Sequence, residues 1–162
     1  MGAISVGSAA TSRSSNQSIA GFTFIDINVP SDGTGKITSV DIYPATSDVV
    51  NPLIAIFYNV GGNNYSTRSY TQITGTFAVG GVRTIAVSLN VVIGDFIGIV
   101  QSGGSGRLSS DGAANSVYYP GIGIPAVNLG FTPIIKTLSL HGTGVTLAKS
   151  SLVPRLIAMG QL

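Results

Sequence analysis

The side chains able to do chemistry are few and scattered. His141 is the only histidine, cysteine and glutamate are absent, and six aspartates stand at positions 26, 32, 41, 48, 95 and 111. A Ser/His/Asp hydrolase needs its nucleophile on a sharp glycine-flanked turn. The nearest approach, Gly103-Gly104-Ser105-Gly106-Arg107, carries arginine where the closing glycine belongs. Gly33-Thr34-Gly35-Lys36 looks like a phosphate loop, but Pro30 takes the place of its first glycine and Ile37 that of the magnesium-holding Ser or Thr, so it reads as a turn. No Asp-x-Asp spacing marks a calcium loop, and Asp32, Asp95 and Asp111 abut glycine as turn residues do. The sequence therefore predicts no enzyme, no cofactor and no metal site, with His141 at a strand end or an interface.

The tyrosines offer a different chemistry. Tyr65, Tyr70, Tyr118 and Tyr119 with Arg68 and Arg107 form a candidate glycan-binding set: rings stack on sugar faces while hydroxyls and guanidinium groups fix orientation. Tyr58 lies inside a core strand and is the weakest member. Half-buried packing is the competing role for tyrosine on a strand, and the absence of Trp removes the broadest stacking surface. Asn16-Gln17-Ser18 and Asn64-Tyr65-Ser66 fit the glycosylation acceptor pattern, which matters only in a secreted eukaryotic protein.

The elements that must hold these residues read as strands. Val, Ile and Thr dominate the apolar runs, and stiff branched side chains suit a pleated surface better than a helix. Phe22 to Val29 is the first strand, with a bulge expected near Phe24 because its apolar phase slips. Lys36 to Tyr43 follows, with Thr38, Val40 and Ile42 on one side and Asp41 on the other. Leu53 to Val60 is apolar on both faces, as in a central strand backed by a second layer or a neighbouring subunit. Gly61 to Asn64 turns the chain into the polar strand Tyr65 to Thr74, then come Thr76 to Val79 and Val82 to Ile93, where Ile85, Val87, Leu89 and Val91 alternate with polar or small residues. Gly98 within Phe96 to Gln101 predicts close aromatic or backbone packing. Residues from Ser102 to Pro133 read as loops with short strands at Ser116 to Tyr119 and Val127 to Phe131, and Thr132 to Leu140 is the last core strand, expected beside the first.

Such spacing predicts an all-β antiparallel sandwich, jelly-roll-like in its long cross-connections, with extended N- and C-terminal arms. The expected division is an N-terminal arm over 1–18, a sandwich over 19–144 and an apolar C-terminal arm over 145–162. In that last arm Leu152, Val153, Leu156, Ile157, Met159 and Leu162 cluster as an assembly segment. The start of the chain lacks the basic and apolar run of an export signal, which predicts assembly in a host cytoplasm. The longest charge-free stretch, Gly112 to Ile135, is broken by three prolines, so no membrane insertion is expected.

Charge decides among function classes. Eight Lys and Arg and six Asp make 9% of 162 residues, where an average domain carries roughly 40 such side chains. The basic residues are dispersed, which argues against a nucleic-acid partner despite the net charge of +2. A monomer of this size exposes on the order of 7,500 Å², about one ionisable group per 500 Å², too thin a coat to keep copies apart.

Gly7-Ser8-Ala9-Ala10, Gly35 to Tyr43, Gly94 to Ile99 and Leu138 to Gly144 together resemble uncharacterised β-sandwich proteins and modules of tailed-phage structural genes and viral metagenomes. That resemblance spans roughly residues 4 to 144 and implies a virion-surface or fibre role, with other virion proteins as partners; it brings no catalytic residues. The expectation is a homo-oligomeric, non-enzymatic subunit of a virion or similar particle, and the alternative a carbohydrate-binding module or receptor-binding tip.

Overall fold

The structure, a computed structural model, describes residues 2–147. Its strands are β1 (Ala3–Ser8), β2 (Ser15–Ser18), β3 (Thr23–Asp26), β4 (Gly35–Ile42), β5 (Val49–Val50), β6 (Pro52–Gly61), β7 (Asn64–Gln72), β8 (Thr76–Phe77), β9 (Arg83–Val91), β10 (Phe96–Gln101), β11 (Arg107–Tyr119), β12 (Leu129–Gly130), β13 (Thr132–Leu138) and β14 (Leu140–Thr146). Among the described residues there is no helix, and hence none long and apolar enough to cross a membrane.

Two antiparallel sheets carry the fold. The four-stranded sheet runs β1-β14-β4-β9; the eight-stranded one runs β12-β7-β6-β10-β3-β11-β13, with β2 also on β11. β5 and β8 form a separate short ribbon. The chain leaves one sheet for the other after β1, β3, β4, β7, β9 and β13, the cross-connections expected of a jelly-roll-like sandwich. Ile4 and Val6 of β1, Ile37 and Val40 of β4, and Ile97 and Ile99 of β10 are fully or almost fully buried between the sheets.

A second core lies behind the larger sheet. Ile25, Ala55, Phe57 and Val100 point away from the first core and are closed over by Ile124, Ala126 and Phe131 of the connection between β11 and β13. The two-sided apolar pattern of β6 thus has its cover within the same chain. Gly98 lies under that layer: a Cβ there would sit 2.5 Å from Phe57 Cε2 and 2.8 Å from the Phe24 carbonyl oxygen. Close packing at this glycine is as the sequence predicts.

Several expectations are corrected. The arm expected over 1–18 does not stand apart in its described part, residues 2–18, because β1 pairs with β14 from Ala3↔Val145 to Ser8↔Leu140 and β2 pairs with the start of β11. The strand read as Phe22 to Val29 is only β3. Its phase slip arises because the Asp26 carboxylate turns inward and accepts the Ser8 N–H and the Asn28 N–H, each at 2.8 Å, which ends the strand in a turn. In β4, Ile37 faces the core and Thr38 is exposed, since the register against β9 shifts between Ile37 and Ser39. The stretch Thr132 to Leu140 breaks at Ser139 and does not lie beside Phe22 to Val29: β11 separates β13 from β3 in the larger sheet, and β14 crosses to the smaller sheet between β1 and β4. β14 reaches Thr146, so the sandwich extends past the expected boundary at 144. Leu152, Val153, Leu156, Ile157, Met159 and Leu162 lie outside the described residues.

Candidate functional site

The six residues of the candidate glycan set do not converge. Tyr65 is buried, edge-on to Phe96 and Phe131 at centroid distances of 6.0 and 5.6 Å. Tyr118 and Tyr119 are consecutive on β11 and therefore face opposite ways. Tyr118 stacks on Phe24 at 5.8 Å on the inter-sheet side, and Tyr119 packs on Phe131 in the second core. Arg107 sits at the far end of the same strand, donating to Asn16 Oδ1 at 2.7 Å. Arg68 is engaged too: its Nε and Nη2 donate to the two oxygens of buried Asp95, and its Cζ lies 4.7 Å over the Tyr58 ring. That bidentate pair raises the arginine pKa further above its ordinary value. Of the four tyrosines, Tyr70 alone is exposed. The packing role won at Tyr65, Tyr118 and Tyr119, because each of those rings meets an aromatic neighbour across strands whose register the sequence does not display.

The concave site lies elsewhere, where the connections β4–β6 and β10–β11 meet. Thr46, Ser47, Asp48 and Asn51 form one wall and Ser102 to Ser105 the other, around a cleft of about 670 Å³. Buried Gln101 ties the two walls: its Oε1 accepts the Val50 N–H at 2.8 Å and its Nε2 donates to the Gly103 carbonyl. Asn51 adopts φ +47° and uses Oδ1 to accept the Gly75 N–H at 2.7 Å, fixing the lip. Asp48 Oδ1 accepts the Val79 N–H at 3.1 Å. The cleft wall thus presents one carboxylate, the Asn51 and Gln101 carboxamides, short hydroxyls, glycine backbone and the apolar side chain of Val50. It has no histidine, no cation and no aromatic platform.

Such a lining offers hydrogen-bond donors and acceptors of the kind that suit a hydroxyl-rich molecule, with Asp48 its one ionisable side chain. Among the described residues no cluster of three His, Asp, Glu or Cys is placed to hold a metal ion. No family model matches this sequence, and no curated protein matches it.

His141 is placed on the outward face of the smaller sheet. Its Nδ1 lies 3.0 Å from the Gly7 carbonyl oxygen, and because that oxygen only accepts, Nδ1 carries the proton. Asp41 is its cross-strand neighbour on β4 and accepts from Thr84 Oγ1 at 2.7 Å. Among the described hydrogen bonds none joins His141 to a serine or threonine hydroxyl. Sequence reasoning passed over the cleft because Thr46-Ser47-Asp48 and Gly103-Gly104-Ser105 look like ordinary turns. Their only distinguishing signal, a concentration of Gly, Ser and Thr in two separate connections, gains meaning when Gln101 joins them.

Proposed function

We propose that this protein is a non-enzymatic structural subunit of a self-assembling particle, a virion surface or fibre component in the setting its phage resemblance implies, acting through contacts with its own copies and with other particle proteins. The observation that carries this reading is the thinness of the ionic coat. Arg13 with Asp111 and Arg68 with Asp95 are consumed in ion pairs, and Asp26 is buried. Over residues 2–147 that leaves Asp32, Lys36, Asp41, Asp48, Arg83, Arg107 and Lys136, on a molecule with 7720 Å² of accessible surface. Repulsion between copies is correspondingly weak. Light scattering of the purified protein at micromolar concentration tests it: a mass well above 16.4 kDa is expected, and a lone monomer through the millimolar range overturns it. Removing residues 148–162, which spares β14, is expected to lower the assembled mass; an unchanged mass removes those residues from the assembly contacts.

A second reading, a carbohydrate-binding module, is favoured by the cleft of Asp48, Asn51 and Ser102 to Ser105 and no longer by the tyrosines. On a glycan array Asp48→Ala then abolishes binding and Tyr118→Ala leaves it intact. Loss with Tyr118→Ala and retention with Asp48→Ala would refute the cleft.

A further inference from the structure

Among the described residues the outward face of the four-stranded sheet is uncovered. Its register sets side chains in three rows across β1, β14, β4 and β9. Gly7, His141, Asp41 and Thr84 make the first; Ser5, Thr143, Ser39 and Ala86 the second; Ala3, Val145, Lys36 and Asn90 the third. Nearly every outward residue is short. The fixed charges in these rows are Asp41 in the first and Lys36 in the third, both on β4 and of opposite sign. Neither has an ionic partner among the described residues, where the two ion pairs are Arg13–Asp111 and Arg68–Asp95.

We propose that this face packs against the same face of a second copy of the chain, about a two-fold axis lying in the plane between the sheets, perpendicular to the strands and crossing β4 at the middle row. That operation exchanges the first and third rows, so Asp41 of each copy meets Lys36 of the other and the charge pair is made twice. An isologous contact requires such a surface, one whose features are complementary to themselves after rotation. The short Ser, Thr and Ala side chains lose little rotamer freedom when covered and let the sheets approach closely, in the aligned packing usual for sheet faces. The residues of this face line no part of the cleft at residues 46–51 and 101–105, and without a concave wall the face gives a small ligand no enclosure, which disfavours a sugar or cofactor as the occupant.

Area sets the strength. Four strands about 4.8 Å apart and seven residues long at about 3.4 Å each span roughly 450 Å² per copy. Some 900 Å² for the pair is below the usual size of a stable isolated complex, so the dimer is weak and gains its permanence from other contacts in a larger assembly.

The inference rests on the assembly reading above, and sedimentation velocity of the full chain from micromolar to millimolar concentration separates the two. Asp41→Lys or Lys36→Asp each places like charges together twice and is expected to raise the dissociation constant about tenfold or more. The double variant K36D/D41K restores opposite pairs and is expected to recover association. If a single reversal disturbs folding, as read by circular dichroism, Ser39→Arg supplies the test: it sets a cation beside its own copy at the axis and is expected to abolish the dimer. A chain that associates with the same constant in all these variants, or a double variant that fails to recover, overturns the proposed face and leaves the assembly reading standing. A wild type that stays monomeric throughout sinks both.

Discussion

The two sheets turn very different backs to the outside. Behind the larger one, the segment from Pro120 to Phe131 lies down as a lid whose polar backbone is satisfied from below: Thr67 and Ala126 exchange two hydrogen bonds through the Thr67 N–H and Oγ1, the Asn128 N–H donates to Ser66 Oγ at 2.8 Å, and the Gly123 N–H donates to Thr23 Oγ1 at 2.7 Å. Hydroxyl residues on β3 and β7 therefore do for this loop what a neighbouring strand would do, and its apolar side chains are free to cover Phe57 and Ile25. Behind the smaller sheet there is no lid among the described residues, and the outward side chains are mostly small or polar. Among the described residues, the chain seals one face with itself and leaves the other uncovered. A second layer is built only where both phases of a strand are apolar, as in β6 and not in β9.

That contrast can be broken most severely from the lid. Phe131→Ala removes the ring that packs against Phe57, Tyr65 and Tyr119, and a loss of about 3–5 kcal/mol is expected in urea unfolding. A loss below about 1 kcal/mol would mean that the lid adds little. Gly98→Val is next: the added carbons drive into Phe57 and the β3 backbone, at a cost of about 1–3 kcal/mol. The same assay locates the difference on the other side, because Thr143→Ala and Ala86→Ser on the bare face are expected to move monomer stability by less than about 0.5 kcal/mol.

The finest distinction comes from pH. Burial raises the Asp26 carboxyl above its ordinary value of 3.8, against the pull of its hydrogen bonds from Ser8 and Asn28. The folded state then holds this proton more tightly than the unfolded chain, so Asp26 adds stability as pH falls from neutral through the raised value, with the gain complete below 3.8. Asp111, lowered first by the Ala113 N–H and then by other groups including Arg13, runs the opposite way: its contribution is present above 3.8 and lost as pH falls through its depressed value. Asp26→Asn is expected to remove the rise in urea midpoint on mild acidification, and an undiminished rise would assign it to another group.

Much of this was legible in the residues. Strands with clean alternation or two-sided apolar runs, β6, β9 and β10, declare themselves because burial acts on every residue along them. Of β11, the longest at 13 residues, only Ser116 to Tyr119 reads as a strand and the rest as loop, because Gly112 to Asn115 carry nothing to bury; the register shifts there while the strand continues on either side. β1 was hidden for a related reason: Gly7 has φ +86°, and a side chain there would strike the Leu140 carbonyl, so the strand needs a residue that sequence reading assigns to a turn. The tyrosines misled because residue type is local and the facing of a ring is not. Two neighbours on one strand, Tyr118 and Tyr119, are separated by the full thickness of the sheet.

One pairing bears on how the molecule yields to force. β1 and β14 run antiparallel with their outer ends together, closed by the Gly2 N–H to Thr146 Oγ1 at 2.8 Å and the Thr146 N–H to the Gly2 carbonyl at 2.9 Å. A pull applied through residues 2 and 147 loads that rung alone, then the next, so the seam peels open like a zip and never resists in shear. Anchored by those two points the protein is a weak link under tension, and a particle that must withstand strain has to grip it across the faces of its sheets.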